Sequence, residues 1–215
     1  MRIIDISVGL DESTPIYEGN PPLALSWAMR IADGDQVNLS SISMGAHTGT
    51  HIDAPYHFIE KGRKIDAMPL NSFILNAQVL HCRGKSIGVQ DIQRLSIRRG
   101  EGVLFKTSNS SLYSKKFTRD FVYLEGRAAE ELVKLRPGIV GIDYLSIEQF
   151  GSSEAPAHHT LLSHNIPILE GAKLRAVKEG KYTLIALPVK FTEREAAPAR
   201  AVLLDPPLKL NSRKA

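Results

Sequence analysis

The alternation of apolar and polar side chains along this chain predicts a protein built mainly from short β-strands. Its clearest example runs from Leu23 to Ile31, where Leu25, Trp27 and Met29 alternate with small or polar neighbours, as in a half-buried strand. Elsewhere, short runs rich in β-branched residues lie between Gly, Pro and Asp turn signals. The predicted strands cover residues 3–8, 23–31, 37–44, 73–82, 102–106, 121–124, 139–142, 167–169, 174–177, 182–189 and 201–204.

Three other segments have apolar residues at helical spacing. Residues 89–97 and 127–135 read as short amphipathic helices, and residues 154–165 form a third with Pro156 in its first turn. Because strands and helices are mixed and neither a linker nor an internal repeat is visible, we predict a single α/β domain over residues 1–215. A sheet forms its core, a few helices flank the sheet, and a Pro- and Lys-rich tail at about 206–215 is frayed.

The composition narrows the possible partners. Of the 215 residues, 43% are hydrophobic and 23% are charged, and the net charge of +4 is only mildly basic. The densest basic region, residues 83–99, has no interleaved aromatic side chains, so we expect a solvated surface and no nucleic-acid partner. No stretch approaches membrane-spanning length. With Cys82 as the only cysteine and no signal-peptide pattern, we expect a cytoplasmic protein.

One short segment, residues 45–58, concentrates potential metal ligands. A single histidine is usually a surface residue or a hydrogen-bonded core residue, but four donors spaced by four, two and four residues seldom arise by chance. Two glycines and a proline indicate an irregular loop that can direct several side chains to one centre. The mixed nitrogen and oxygen donors suit zinc, manganese or iron better than calcium or magnesium. The four donors are His47, His51, Asp53 and His57.

This segment resembles the signature of a known family. From His47 to Phe58 the chain matches the pattern H-x-G-T-H-x-D-x-P-x-H-F of the metal-dependent cyclase superfamily, which includes bacterial kynurenine formamidases. The resemblance implies a swivelling β/β/α fold, a homodimer or homotetramer, and an arylformamidase that hydrolyses N-formyl-L-kynurenine. Two alternatives stay open: an isatin-hydrolase-like enzyme that opens cyclic amides, and a metal-binding protein without catalysis.

The resemblance also implies a ligand set drawn from two distant segments. The family's Ala-His pair and its Ile-Leu-Glu-Gly run twelve residues later match Ala157-His158 and 168–171 in this chain. His47, His51 and Asp53 would then hold one ion, Asp53 and Glu170 would bridge, and His158 would bind a second ion. His159 is the adjacent competitor, but on a helix it points about 100° away from His158. We expect two zinc ions, with manganese or a single ion as alternatives.

Further expectations concern four single residues. His57 corresponds to the family's proton-transfer histidine, although it can also be a further metal ligand. Tyr17 lies where an aromatic side chain, typically tryptophan in kynurenine formamidases, lines the substrate site. Asp143, just past a predicted strand, would have a supporting role, whereas His164 is expected at the surface.

Overall fold

A computed structural model describes residues 1–113 and 116–210 of the chain. Within these ranges it contains twelve β-strands, three α-helices and five short 3-10 helices. The strands are β1 (Arg2–Asp5), β2 (Ala24–Met29), β3 (Leu39–Ser43), β4 (His51–Asp53), β5 (Ile74–His81), β6 (Ser86–Ile87), β7 (Gly102–Lys106), β8 (Tyr123–Leu124), β9 (Val140–Ile142), β10 (Ile168–Glu170), β11 (Gly180–Pro188) and β12 (Ala196–Asp205). The α-helices are α1 (Val89–Ile92), α2 (Gly126–Lys134) and α3 (Pro156–Ser163).

Eight strands form one barrel-like sheet. Their order is β1-β12-β11-β5-β7-β9-β10-β4, and an additional pairing of β12 with β4 closes the sheet on itself. The neighbours β5, β7, β9 and β10 are parallel, because each passes to the next through a crossover that contains one of the three α-helices. The other pairings of this sheet are antiparallel. The predicted mixed α/β domain with a sheet core is therefore confirmed.

The two faces of the sheet bury different cores. On β5, Leu75, Ala77 and Val79 alternate into an inner core that also holds side chains from β4, β10, β11 and β12. Leu80, at the end of the same strand, packs into an outer core between the sheet and the helices. Apolar residues of α2 and α3 cover this outer core, as the helical spacing of the sequence predicts.

Most of the predicted elements are present, with shifted ends. The strand at 102–106 is reproduced by β7. The helix predicted over 154–165 is present as α3, which begins at Pro156 and ends at Ser163. The helix predicted over 89–97 ends at Ile92, and only Tyr123–Leu124 forms a strand within 121–124. The strand predicted over 174–177 is wrong, since Val177 donates its backbone N–H to the carbonyl of Leu174 in a turn.

Two predictions about the first sixty residues also need correction. The ligand-rich segment is not loop throughout, because its centre forms β4, which pairs on one side with β10 and on the other with β12. The strand predicted at 23–31 exists as β2, but it is not half-buried. It pairs with β3 in a separate two-stranded sheet, and every residue of both strands is exposed.

The C-terminal segment is only partly described. Residues 206–210 have no helix or strand, and Leu208 donates its backbone N–H to Thr183 Oγ1 at 2.7 Å. The rest of the predicted frayed tail, residues 211–215, lies outside the described residues. None of the helices within the described ranges has the length and hydropathy needed to cross a bilayer.

Candidate metal centre

Strands β4 and β10 place three donors on one face of the sheet. His51 and Asp53 are two residues apart on β4, so their side chains point to the same side. The antiparallel register pairs His51 with Glu170, the last residue of β10, and directly opposed side chains share a face. Ile52 and Leu169 point the other way, into the inner core. Burial of these two apolar residues therefore fixes the direction of the three donors.

Two flanking segments add the remaining histidines of the signature. His47 lies in the turn that follows β3, and His57 ends the 3-10 helix Pro55–His57. His47 Nδ1 is 2.9 Å from Asp53 Oδ1, and the rings of His47 and His57 have centroids 4.2 Å apart. Donor atoms of His47, Asp53 and His57 all lie within 4.8 Å of one another.

Helix α3 brings the fourth imidazole from the distant half of the chain. Glu148 Oε2 accepts the backbone N–H groups of Ala157 and His158, at 2.9 and 3.2 Å, and so holds the first turn of the helix. The same oxygen lies 3.4 Å from His158 Nδ1. Packing also restrains the His158 ring, because the ring of Phe58 stacks on it with centroids 4.5 Å apart. The imidazole is thereby held with Nε2 directed at the other donors.

The two carboxylates lie between His51 and His158. Asp53 Oδ1 is 3.4 Å from His51 Nε2, and Asp53 Oδ2 is 3.7 Å from His158 Nε2. Glu170 repeats the arrangement, with Oε2 at 3.5 Å from His51 Nε2 and Oε1 at 3.3 Å from His158 Nε2. Each carboxylate thus presents one oxygen to His51 and the other to His158.

The electrostatics of the cluster favour a cation at its centre. Burial alone would lower the pKa values of His47 and His51, but the Asp53 carboxylate, with Glu170 acting on His51, raises them to about 9 and about 10. The pKa of His158 is also well above its usual value, because Asp53, Glu148 and Glu170 outweigh its burial. A metal dication at the same place competes for this stabilisation, since ligating imidazoles must be neutral.

His57 differs from these three histidines. Burial lowers its pKa, and the neighbouring His47 and His158 lower it further, while Asp53 offsets only part of the effect. His57 is therefore neutral near pH 7 and can accept a proton.

Several buried polar atoms of the cluster lack a hydrogen-bond partner among the described residues. Within residues 1–113 and 116–210, these atoms have no partner in hydrogen-bonding geometry: His51 Nε2, both oxygens of Asp53, and His158 Nδ1. His51 Nδ1 lies 3.0 Å from the Gly49 carbonyl oxygen, a contact that places the proton on Nδ1 and leaves Nε2 as the ligand atom. Buried polar atoms without a hydrogen-bond partner are rare in folded proteins, because leaving them unpaired is energetically costly. The residues present therefore fit a divalent metal ion.

A small pocket of about 210 Å³ opens onto the cluster. Tyr17 lies in its wall and packs against Phe117 and Phe150, with ring centroids 5.0 and 5.7 Å away. The remaining wall residues outside the signature histidines include Asn20, Leu145 and Ser146. This pocket is smaller than a typical ligand site of roughly 300–1,000 Å³, so it encloses only part of a substrate.

The other singled-out polar residues lie away from the cluster. His159 is exposed although its neighbour His158 is buried, and His164 is exposed at the end of α3. Asp143 is buried, but its carboxylate accepts hydrogen bonds from Thr107 and Ser110, and it has no bond to a donor of the cluster within the described part of the chain.

Two acidic residues of the site do not stand out in the sequence. Glu148 follows a buried stretch without any motif, and Glu195, which lies 3.4 Å from His47 Nε2 through Oε1, sits in an ordinary charged run. Glu148 lies eight residues before Pro156 in the sequence, which is too far for the usual N-cap of a helix, so sequence pattern gives no indication of its contact with α3.

Fold and site together define an α/β protein with a buried His/Asp/Glu centre for a divalent ion, of the kind found in metal-dependent hydrolases. A family model described as putative cyclase matches residues 4–149. The chain belongs to this cyclase family.

Similar proteins are found among curated sequences and solved structures. The chain is 37% identical to a kynurenine formamidase of Salinibacter ruber over 96% of its own length and 99% of that protein. It is 35% identical to a kynurenine formamidase of Geobacillus thermodenitrificans, covering 93% and 96%. A solved structure described as a predicted metal-dependent hydrolase from Bacillus stearothermophilus matches with a TM-score of 0.82 and 34% identity, covering 94% of this chain and 97% of that one.

The fold extends to more distant proteins. Isatin hydrolase A from Labrenzia aggregata superposes with a TM-score of 0.84 at 20% identity, over 94% of this chain and 93% of that chain. At this identity the likeness concerns the fold alone.

Proposed function

We propose that this protein is a metal-dependent amide hydrolase that cleaves N-formyl-L-kynurenine to L-kynurenine and formate. The observation that carries the proposal is the pair of carboxylates, Asp53 and Glu170, each lying between two imidazoles, with the neutral His57 beside them. The names of relatives 37% and 35% identical over nearly the whole chain support the choice of substrate.

The proposed centre holds two ions per chain. His47, His51 and Asp53 would hold the first ion, His158 would hold the second, and the carboxylates of Asp53 and Glu170 would be shared between them. This assignment is supported by the orientation of the two carboxylates, whose paired oxygens face opposite sides of the cluster. Zinc is the proposed metal, and manganese suits the same donors. The assembly proposed for the active protein is a homodimer or a homotetramer.

Hydrolysis of an arylamide requires an activated water and a protonated leaving amine. When bound, a divalent ion lowers the pKa of water from 15.7 towards about 7 and polarises a carbonyl oxygen. His57 is the proposed acid/base, because it lies against His47 and is neutral near pH 7, so it can take a proton and pass it to the departing nitrogen. Its rival role, a further ligand beside His47 and Asp53, is geometrically open.

Tyr17 is the proposed substrate-contacting aromatic residue. It belongs to the pocket wall and is held in place by Phe117 and Phe150. The small pocket suits the flat aryl-amide end of the substrate, while the amino-acid end would extend towards solvent.

The test is a substrate panel on protein loaded with zinc or with manganese. We expect release of formate from N-formyl-L-kynurenine with kcat/KM of about 10⁴ M⁻¹s⁻¹ or higher, and much slower opening of isatin. A preference for isatin would contradict the proposed substrate but would still support metal-dependent amide hydrolysis. A metal-saturated protein that is inert towards both amides would contradict enzymatic function and favour a metal-binding protein.

A further inference from the structure

Two of the proposed metal-binding imidazoles share an arrangement in which one ring nitrogen faces the cluster and the other faces an acceptor outside it. His51 Nδ1 lies 3.0 Å from the Gly49 carbonyl oxygen, and its Nε2 faces the two buried carboxylates. His158 Nδ1 lies 3.4 Å from Glu148 Oε2, and its Nε2 faces the same carboxylates. In both rings the outer acceptor favours Nε2 as the nitrogen that binds a metal.

The imidazole of His47 is oriented the other way round. Its Nδ1 lies 2.9 Å from Asp53 Oδ1, inside the cluster, whereas its Nε2 lies 3.4 Å from Glu195 Oε1, outside the cluster. A neutral imidazole carries its proton on one nitrogen and a lone pair on the other. A proton on Nε2 is therefore directed at the Glu195 carboxylate, and the lone pair of Nδ1 is left to face a metal ion.

The position of Glu195 is fixed by the strands that carry the cluster. Glu195 directly precedes β12, whose first residue, Ala196, pairs with Asp53 on β4. The carbonyl oxygen of Glu195 accepts the backbone N–H of Ala54 at 2.8 Å. Because its backbone is held beside the strand that carries Asp53, its carboxylate approaches His47 from a defined direction, with 33% of the side chain exposed.

We propose that Glu195 is a positioning residue that fixes the tautomer and the ring orientation of His47, so that Nδ1 is the metal-binding atom. This inference rests on the proposed function, because it requires a metal ion held by His47. A carboxylate that accepts the outer N–H of a metal-bound imidazole orients the ring and makes it a more basic ligand, and such partners contribute roughly 10–100-fold to metal affinity or activity.

The first experiment measures zinc affinity without the charge of Glu195. In Glu195→Gln we expect the dissociation constant of the zinc ion held by His47, measured by competition with a chelator of known affinity, to rise about 10–100-fold. The matched control is Glu193→Gln, which removes one negative charge from the same segment. Glu193 pairs with Lys64 at 3.1 Å and has no ion pair with a histidine in the described ranges, so this variant should bind zinc like the wild type.

The second experiment observes the tautomer of His47 directly in the wild type. In the zinc-loaded protein labelled with ¹⁵N-histidine, long-range ¹H–¹⁵N correlation spectra distinguish the protonated ring nitrogen from the metal-bound one. The His47 signals are assigned by their absence in His47→Ala. We expect the proton of His47 on Nε2 and the metal on Nδ1, the reverse of His51 and His158. In Glu195→Ala this preference should weaken, because Nε2–H loses its acceptor.

Three results would overturn the role of Glu195. One is a wild-type His47 that binds zinc through Nε2, and another is zinc affinity unchanged in Glu195→Gln. The third is equal weakening in Glu195→Gln and Glu193→Gln, because the charge would then act at a distance and not through His47. Both experiments measure zinc binding and not turnover, so a protein that binds zinc in this way but cleaves no amide would contradict only the proposed activity.

Discussion

Each buried carboxylate of the candidate metal centre faces two imidazoles. His57 lies beside these residues, but its pKa shifts in the opposite direction from the pKa values of the other imidazoles. The carboxylates raise the pKa values of His47 and His51 and favour a cation there, whereas burial and neighbouring positive charge lower that of His57. Holding metal and moving protons can therefore belong to different residues of one signature.

Replacement of His57 tests this division of roles. In His57→Ala we expect kcat for N-formyl-L-kynurenine to fall about 10²–10⁴-fold, the usual contribution of a general acid/base, while elemental analysis finds the wild-type metal content. Added imidazole should restore part of the rate, because it can carry the proton in the space left by the side chain. Loss of an ion in this variant would instead make His57 a ligand.

Two adjacent histidines of α3 provide a matched pair. His158 is buried with Nε2 directed at Asp53 and Glu170, whereas His159 is exposed. We expect His158→Ala to lose one of two bound ions per chain and His159→Ala to retain both, as measured by elemental analysis after gel filtration. Equal metal content in the two variants would remove His158 from the ligand set.

At the scale of elements, the centre depends on the close packing of two loop backbones. Gly171, directly after β10, has φ of +72°, and a Cβ built there would lie 2.2 Å from the Gly49 carbonyl oxygen. The hydroxyl of Thr50 also donates to the Gly171 carbonyl oxygen at 2.7 Å. The segment that carries His47 and His51 is thus fastened to the segment that carries Glu170.

Two glycine-to-alanine variants test the energetic importance of this close backbone contact. Gly171→Ala should lower the free energy of unfolding by at least about 2 kcal/mol and reduce metal content, because the two ligand segments must separate. Gly151→Ala is the control: its φ is +76° but no atom lies within 4 Å of the added Cβ, so only about 1–2 kcal/mol of backbone strain is expected. Urea unfolding compares the two variants, and equal losses would mean that the close approach is unimportant.

Elements were predictable from the sequence where local pattern and tertiary packing agree. β7 is a continuous apolar run buried on both faces, and its limits were predicted correctly. β4 was not predicted, because the five residues between Gly49 and Pro55 are too few to show a strand pattern. Pairing with both β10 and β12 creates the three-residue strand. Leu174 and Val177 are apolar because they fill the inner core from a turn, not from a strand.

The candidate site shows the same limit. The short spacing from His47 to His57 is visible in the sequence, and the resemblance to the family supplied His158 and Glu170. Glu148 could not be found this way, because its relation to His158 depends on how the chain before α3 folds back on the helix.

At the scale of the whole molecule, the proposed ligands come from segments that meet only in the folded chain. His51 and Glu170 are opposed across β4 and β10 although more than a hundred residues separate them in sequence. The complete donor set therefore exists in the native state and not in the unfolded state, so a metal ion bound there would stabilise the fold.

Removal of the metal should lower the melting temperature. With free metal at a hundred times its dissociation constant, one site contributes about 2.7 kcal/mol, which for a chain of this size corresponds to roughly 5–11 °C. Differential scanning calorimetry of metal-loaded and chelator-treated protein measures the shift, and readdition of zinc should reverse it. Identical melting curves would show that the cluster does not bind metal appreciably.

Part of the pocket wall is made by loops, whereas most of the candidate metal centre lies on strands and a helix. Tyr17, Asn20, Leu145 and Ser146 lie outside the helices and strands, whereas His51, Asp53, Glu170 and His158 are fixed on β4, β10 and α3. Substitutions in these loops can consequently change which substrate fits without changing the residues proposed to bind the metal. A library randomised at these four loop positions should yield variants that accept other amides while still retaining the cation, so that new substrates arise without rebuilding the reactive centre.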